Sequence, residues 1–252
     1  MFDRELAFAH ELADEATEIA MGVFRRDVEV TWKADLTPVT QADTQIESTI
    51  RKRVTEAFPD DSVLGEEEGG QEGTGRVWVI DPIDGTRNFA SGIQIWSTLI
   101  ALVVDREPAI SVVSAPALGE RYQAVRGAGA TMNGEPIHVS AVGSLEEAGV
   151  ASGDIEAWFG TAMDARMRAL ESRARRRRGF GDFWGHMLVA RGSMEIMVEP
   201  SVSIWDWAAL VPVVTEAGGR LSQVDGAPLI HGGSILTTNG HLHDQSVTLL
   251  SA

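Results

Sequence analysis

A layered α/β or α+β fold in two parts is what the hydrophobic rhythm of this chain predicts, on three observations. Residues 3–24 place Ala9, Leu12, Ala13, Ala16, Ala20 and Val23 three and four apart, the stripe of an amphipathic helix. Val77-Trp-Val-Ile80 is short, wholly apolar and rich in β-branched residues, as a strand covered on both faces should be. In the second half, helical patterns at Thr161–Arg173, Asp182–Arg191 and Trp205–Ala217 alternate with short strands near Met194–Val198, Arg220–Ser222 and Ile235–Thr237.

The remaining elements follow in order. Thr40-Gln-Ala-Asp43 has the form of a capping box, and Ile46, Ile50, Val54 and Phe58 then recur at i+4 until Pro59 ends the helix. A loop rich in Asp, Glu and Gly fills Pro59–Gly75. Strands are expected at Ser97–Val104, Ala109–Ser114 and Arg121–Val125, with Asp105-Arg-Glu-Pro108 as a hairpin-type turn and Asn133-Gly134 as another. The join falls near residues 136–145, which divides the chain into 1–140 and 141–252.

Composition narrows the function. Among 252 residues, 21 are Lys or Arg and 37 are Asp or Glu, a formal charge of −16. Such a chain repels nucleic-acid phosphates and anionic membranes, because binding either depends on basic residues displacing counterions. The absence of cysteine excludes disulfides, thiolate metal sites and cysteine nucleophiles together. Asp3 and Glu5 break any signal-peptide pattern, and the longest greasy stretch, Ile95–Val104, falls short of the ~20 residues of a membrane span. The expectation is a cytoplasmic protein with neither nucleic-acid nor membrane partner.

The chemistry concentrates in Val77–Phe89. A buried strand delivers Asp81, and Pro82, lacking an N–H, is expected to stop the ladder and turn the chain. In that turn Asp81, the Ile83 carbonyl and Asp84 can converge as hard oxygen ligands of the kind Mg²⁺ prefers. Gly85 lets the backbone approach an anion, and the N–H groups of Gly85 and Thr86, opening a helix, can grip a phosphate. Gly65-Glu66-Glu67-Glu68-Gly69 precedes the strand, and Ile204-Trp205-Asp206-Trp207 sets one more acid at a helix start between two tryptophans. His231, His241 and His243 read as surface or loop histidines.

Taken in order and spacing, Glu66-Glu67, Asp81-Pro-Ile-Asp-Gly-Thr86 with Asn88-Phe89, Trp205-Asp206 with Ala208-Ala209, and Glu216-Ala-Gly-Gly219 resemble the inositol-monophosphatase-like superfamily of Mg²⁺-dependent, lithium-sensitive phosphatases. Leu36-Thr-Pro-Val-Thr-Gln-Ala-Asp43 resembles the family's threonine-and-aspartate segment. The resemblance covers nearly the whole chain. It implies an αβαβα sandwich of the inositol monophosphatase and fructose-1,6-bisphosphatase type, and a homodimer. It also implies that Glu66, Asp81 and the Ile83 carbonyl hold one Mg²⁺ while Asp81, Asp84 and Asp206 hold a second. Glu67 and Asp43 would serve a weaker third metal or its waters. Glu66, Thr86 and Asp84 form the implied catalytic set, with Glu66 and Thr86 orienting and deprotonating a metal-bound water. Haloacid-dehalogenase phosphatases space their two acids by two residues; here Asp81 and Asp84 are three apart, so no covalent phosphoenzyme is expected.

For the substrate, Gly181-Asp182-Phe183 stands where the inositol branch has Gly-Thr-Ala. An added acid suits a cationic substrate. Phe180–Phe183, Glu199-Pro200, Trp205-Asp206 and His231-Gly-Gly233 together resemble the bacterial histidinol-phosphatase branch. Gly85, Thr86, Asp182, Glu199 and Asp206 are the expected substrate contacts, the plainer alternative for Asp182 being a helix N-cap. Inositol-1-phosphate remains the rival ester, and a non-catalytic regulatory protein the rival class. Arg173-Ala-Arg-Arg-Arg-Arg178 reads as a solvated basic run, or as a patch near the site or a dimer partner.

Overall fold

The computed structural model describes residues 2–26, 30–32, 38–70, 73–153, 155–179 and 181–251. Leu36 and Phe180, both used above, lie outside them. Helix α1 (Asp3–Val23) buries Ala9, Leu12, Ala13, Ala16 and Ala20, while Val23 at the end of the stripe is partly exposed. Strands β1 (Val30–Trp32) and β2 (Pro38–Thr40) pair antiparallel and lead into α2 (Gln41–Ala57). The capping box forms: the Thr40 N–H donates to Asp43 Oδ2 at 2.8 Å and the Asp43 N–H to Thr40 Oγ1 at 3.4 Å. At the far end Phe58 leaves the helical region, as a residue before proline must.

The first sheet comprises β3 (Ser62–Gly65), β4 (Arg76–Asp84), β5 (Ser97–Val104), β6 (Glu107–Ala115), β7 (Glu120–Val125), β8 (Ala130–Met132) and β9 (Glu135–Pro136), in that spatial order. Only β3 and β4 run parallel. The β5–β6 turn is tight because Asp105 and Arg106 both take positive φ (51° and 70°), the twist that hairpins favour. Strand β3 lies inside what the sequence reads as loop. The ladder also outlasts Pro82: Asp81 pairs with Leu99 and Asp84 with Ser97, so three steps on β4 face two on β5. This β-bulge accommodates Pro82, whose carbonyl accepts from Thr98 Oγ1 at 2.8 Å. The expected strand end is thus a bulge, since a proline's missing N–H is tolerated where the ladder is already interrupted.

Helix α3 (Thr86–Ala90) follows β4. The second sheet, built from residues 149–238, has β10 (Gly149–Ser152), β11 (Arg176–Arg178), β12 (Ile196–Val202), β13 (Arg220–Ser222) and β14 (Gly233–Thr238) in the order β11-β10-β12-β14-β13. Helices α4 (Ala162–Arg173), α5 (Asp182–Ala190), α6 (Ile204–Ala208), α7 (Leu210–Glu216) and α8 (His243–Ser251) complete it. One helix expected over Trp205–Ala217 is two, because Pro212 has no N–H for the Ala208 carbonyl. The arginine run forms an exposed edge strand, β11, where charge discourages pairing with other chains. His243 departs from its expected surface position: it is buried, with Nε2 against Ser222 Oγ at 3.0 Å and Nδ1 against Thr238 Oγ1 at 3.1 Å.

Five layers result, in the order predicted from the resemblance. On one face of the first sheet Trp78, Ile80 and Ile100 pack on α1 and α2. The opposite face, with Val77, Val79 and Leu99, packs on Phe183 and Met187 of α5 and on Val213 and Val214 of α7. Leu188 and Val189 of α5 turn to Ala151 and Met197 of the second sheet. Beyond it, Val150, Ile196 and Leu236 meet Met167 and Leu170 of α4 and Leu250 of α8. Both sheets are therefore covered twice, which explains the unbroken apolar run of β4. Among the described residues no helix is long and apolar enough to cross a membrane.

Leu12 is fully buried where α1 meets α2 and the sheet. Leu12→Ala is expected to lower unfolding free energy by about 2–5 kcal/mol through lost transfer energy and a residual cavity. Urea titration followed by circular dichroism measures it; a change under about 1 kcal/mol would place Leu12 outside the core.

Candidate active site

The bulge in β4 creates the site. Along a regular strand, residues three apart point to opposite faces, so Asp81 and Asp84 would be separated by the sheet. One extra residue resets the alternation and brings both to the same end. Asp206 joins them from α6, where it completes a capping box by accepting the Ser203 N–H at Oδ2, 2.6 Å away. Oxygens of the Asp81, Asp84 and Asp206 carboxylates lie within 4.8 Å of one another. They sit in a cleft of about 260 Å³ that Glu66, Ile83, Gly85, Thr86, Asp182 and Glu199 also line.

Electrostatics show what this arrangement lacks. Burial pushes the Asp81 carboxyl well above the usual carboxylate range, and the Glu66, Asp84 and Asp206 carboxylates push it further. Burial does the same to Asp84, reinforced by Asp182 and Asp206. Asp206 is raised to about 7, mainly by burial and then by Glu66 and Glu199, against the lowering effect of the Ser203 N–H. Asp81 Oδ1 is buried with no hydrogen-bond partner among the described residues. An orphaned anionic oxygen inside a cluster of like charges is costly unless a cation meets it. Hard carboxylate oxygens with a nearby carbonyl suit Mg²⁺.

Beside the acids, Gly85 adopts φ +83° and heads α3. A Cβ there would press on the Ile95 carbonyl at 2.9 Å and on Asp182 Oδ2 at 3.3 Å. Thr86 Oγ1 donates to the Ile83 carbonyl at 2.9 Å, with Asp43 Oδ1 a second acceptor at 3.4 Å. Asp43 therefore stands behind Thr86 and does not line the cleft; burial raises its carboxyl to about 6, opposed by the Thr40 bonds.

Glu67 is also outside the lining. Its backbone N–H donates to Glu47 Oε2 at 2.7 Å, and that of Glu68 to Glu47 Oε1 at 2.9 Å. Glu47, absent from the sequence reading, is fully buried and paired with Arg51 at 2.7 Å. A Cβ on Gly65 would collide with its carboxylate. So Glu47 ties the loop that presents Glu66 to α2, and the loop closes on itself through the Gly65 N–H and the Gly69 carbonyl at 3.0 Å. The signal was available: Asp43, Glu47 and Arg51 fall at i, i+4 and i+8, one polar ridge on an otherwise apolar-facing helix.

At the opposite wall, Asp182 is the first residue of α5 and takes a positive φ of 54°. It does not cap the helix. Two acids from elsewhere do: Asp84 Oδ2 accepts the Phe183 N–H at 2.7 Å, and Glu199 Oε1 accepts the Asp182 N–H at 2.9 Å. The Asp182 carboxylate instead accepts from Asn88 Nδ2 at 2.9 Å. His231 stays at the surface, its Nδ1 accepting the Ile204 N–H at 3.4 Å and its ring 5.1 Å from Trp205, bracing α6.

Comparison with known proteins decides the family. The model of the inositol monophosphatase family matches residues 2–251. The chain belongs to the inositol monophosphatase family. Within that family it is 46% identical to a histidinol-phosphatase of Mycobacterium tuberculosis, over 95% of this chain and 94% of the other. It is 42% identical to a histidinol-phosphatase of Streptomyces coelicolor, over 98% and 97%. The solved IMPase of Thermotoga maritima superposes with a TM-score of 0.90 at 32% identity, covering 98% of this chain and 97% of that one. The five layers are thus those of an inositol monophosphatase fold.

The raised carboxyls predict how the metal-free family member responds to pH. An acid whose folded pKa exceeds its unfolded value of about 3.9 gives up its proton less readily when folded, so its contribution to stability falls as pH rises. With Asp43 at about 6 and Asp206 at about 7, stability should decline between about pH 4 and pH 7. Thermal melts in chelator are expected to show a falling midpoint over that window, and Mg²⁺ should restore it at the upper end. A flat midpoint in chelator would contradict the crowding of acids described here.

Proposed function

We propose that the chain is a Mg²⁺-dependent phosphomonoesterase that hydrolyses histidinol phosphate to histidinol and phosphate. The observation that carries this reading is one cleft with two chemically distinct walls. Asp81, Asp84 and Asp206 crowd beside the Gly85-Thr86 backbone on one side, and Asp182 with Glu199 stand on the other. The names of the relatives from Mycobacterium tuberculosis and Streptomyces coelicolor support the substrate.

In this reading Glu66, Asp81, Asp84, Asp206 and the Ile83 carbonyl would hold two Mg²⁺ ions, and the third, weaker ion expected near Asp43 and Glu67 is not part of it, because neither residue lines the cleft. Bound there, Mg²⁺ offsets the phosphate charge and acidifies water. The chain's own groups do the rest. The N–H groups of Gly85 and Thr86 grip the phosphate. Thr86 spends its proton on Ile83 or Asp43, which leaves its oxygen lone pairs free to accept from the attacking water, and Glu66 takes that water's proton. The water oxygen attacks phosphorus opposite the ester oxygen, the P–O ester bond breaks, and the departing alkoxide takes a proton from solvent water, while Glu66 returns the proton it took to solvent. Asp182 and Glu199 meet the ammonium and imidazole of the substrate, groups that inositol-1-phosphate lacks. Residues 1–140 then supply most of the metal site, and residues 141–252 supply Asp206 and the specificity wall. By family resemblance the working unit is a homodimer.

The deciding measurement is kcat/KM for histidinol phosphate against inositol-1-phosphate at saturating Mg²⁺. Histidinol phosphate is expected to be preferred, and Asp182→Ala should lower its kcat/KM by about 10- to 100-fold, the worth of one charge-assisted hydrogen bond. Equal losses on the inositol ester would sink the substrate assignment. Asp84→Asn is expected to cut turnover by about 100-fold or more, the scale of a lost electrostatic contact to the reacting group. It should leave the near-ultraviolet spectrum unchanged, because an amide oxygen can still accept the Phe183 N–H. Full activity in that variant would remove Asp84 from the metal site.

A further inference from the structure

Glu199 owes its position to a residue that never reaches the cleft. His186, one turn beyond Asp182 on α5, is fully buried against the neighbouring strands β12 and β14 of the second sheet. Its Nδ1 lies 2.7 Å from Thr237 Oγ1 on β14, and its Nε2 lies 3.2 Å from Glu199 Oε2 on β12. A carboxylate can only accept, so Nε2 carries the ring proton toward Glu199 and Nδ1 accepts from the Thr237 hydroxyl. The other oxygen, Oε1, accepts the Asp182 N–H at 2.9 Å. Beneath it lie Gly153 and Gly181; a Cβ on Gly153 would collide with Oε1, and one on Gly181 would come within 3.1 Å. Glu199 is thus held by two donors one helical turn apart, over a floor that only glycine leaves open. Each carboxylate oxygen retains a further lone pair for a ligand, and Glu199 lines the cleft.

We propose that His186 is a positioning residue for recognition of the substrate's cationic end. Its Nε2–H, with the tautomer set by Thr237, fixes the Glu199 carboxylate in the conformation that meets the cation. This rests on the substrate reading above. A glutamate has three side-chain torsions, and ordering it only when substrate arrives would weaken binding; the His186–Thr237 pair orders it beforehand. Because Glu199 faces the leaving-group end of the substrate, the effect belongs in KM for cationic esters and not in kcat.

His186→Phe keeps a ring of similar volume and deletes the donor, His186→Gln restores an N–H within reach of Glu199, and Thr237→Val deletes the hydroxyl that sets the tautomer. His186→Phe and Thr237→Val are expected to raise KM for histidinol phosphate by about 3- to 10-fold, the scale of one side chain left to be ordered on binding. Values of kcat should stay within about twofold, a margin too small to signal a lost transition-state contact. KM for inositol-1-phosphate should not move, and His186→Gln should recover most of the loss. A parallel KM rise on both esters, or a fall in kcat, would make His186 a packing residue and overturn the inference. If His186→Phe does not fold, Thr237→Val decides by the same criterion. Nitrogen-15 chemical shifts of His186 in the unmodified protein test the geometry without any substrate: protonation at Nε2 is expected, and protonation at Nδ1 overturns the assignment. Failure of the substrate reading looks different, because the unmodified enzyme would then show no preference for histidinol phosphate while the Nε2–H signature persisted.

Discussion

The rest of this structure depends on one electrostatic constraint: several carboxylates are buried together at the end of β4, and among the described residues Arg87 is the one basic residue that lines their cleft. Self-repulsion of that kind would expel the acids to solvent unless the surrounding fold over-determines their positions. The fold does so at each one. Asp81 and Asp84 are fixed by a bulge between two strands buried along all but one end residue each, Asp206 by the cap of α6, and Asp43 by the cap of α2. Glu47, sealed with Arg51, holds the loop that offers Glu66. The apolar layers on both faces of the first sheet supply the rigidity against which this charge is held.

That constraint also explains which parts were legible in the amino-acid sequence. Residues whose role is local could be read: the Thr40–Asp43 box, a hairpin turn starting at Asp105, the stripe of α1 and the Asp81–Asp84 pair announce themselves by spacing, whereas Asp206 joins them through the family resemblance. Residues whose role is a contact between distant elements could not. Glu47 has no part in the sequence reading, and its role appears only when the 65–69 loop is laid over it. The plainer alternative for Asp182 is a helix cap, but that task falls to Asp84 and Glu199, which are 99 and 17 residues away from the N–H groups they accept.

Proline misled in two opposite ways, for the same physical reason. Both Pro82 and Pro212 lack an N–H, and the consequence depends on whether the partner carbonyl needed one. At Pro82 the ladder was already broken by the bulge, so the strand continued. At Pro212 the Ala208 carbonyl sat in a helix that required the bond, so the helix divided. That division is useful. It lets α6 be a short, independently capped element whose single task is to aim Asp206, while α7 packs its valines on the first sheet.

The first turn of α5 is where the two walls of the cleft meet mechanically. Successive N–H groups, those of Asp182 and Phe183, are accepted by Glu199 from the second sheet and by Asp84 from the first. The positive end of the helix dipole is thereby shared between Asp84, one of the three clustered acids, and Glu199 on the opposite wall. Asn88, one turn from Gly85 on α3, closes the loop by donating to Asp182. A displacement of α5 cannot improve one wall without disturbing the other, because Asp84 and Glu199 are anchored in different sheets and both accept from this turn. The charge of −16 that first argued against anionic partners is in part local to this junction, where, in the proposed function, a divalent cation would invert the field and make an acidic cleft attractive to phosphate. In the proposed function, discrimination between esters would then fall to Asp182 and Glu199, whose charge would be left for the cationic end of the molecule.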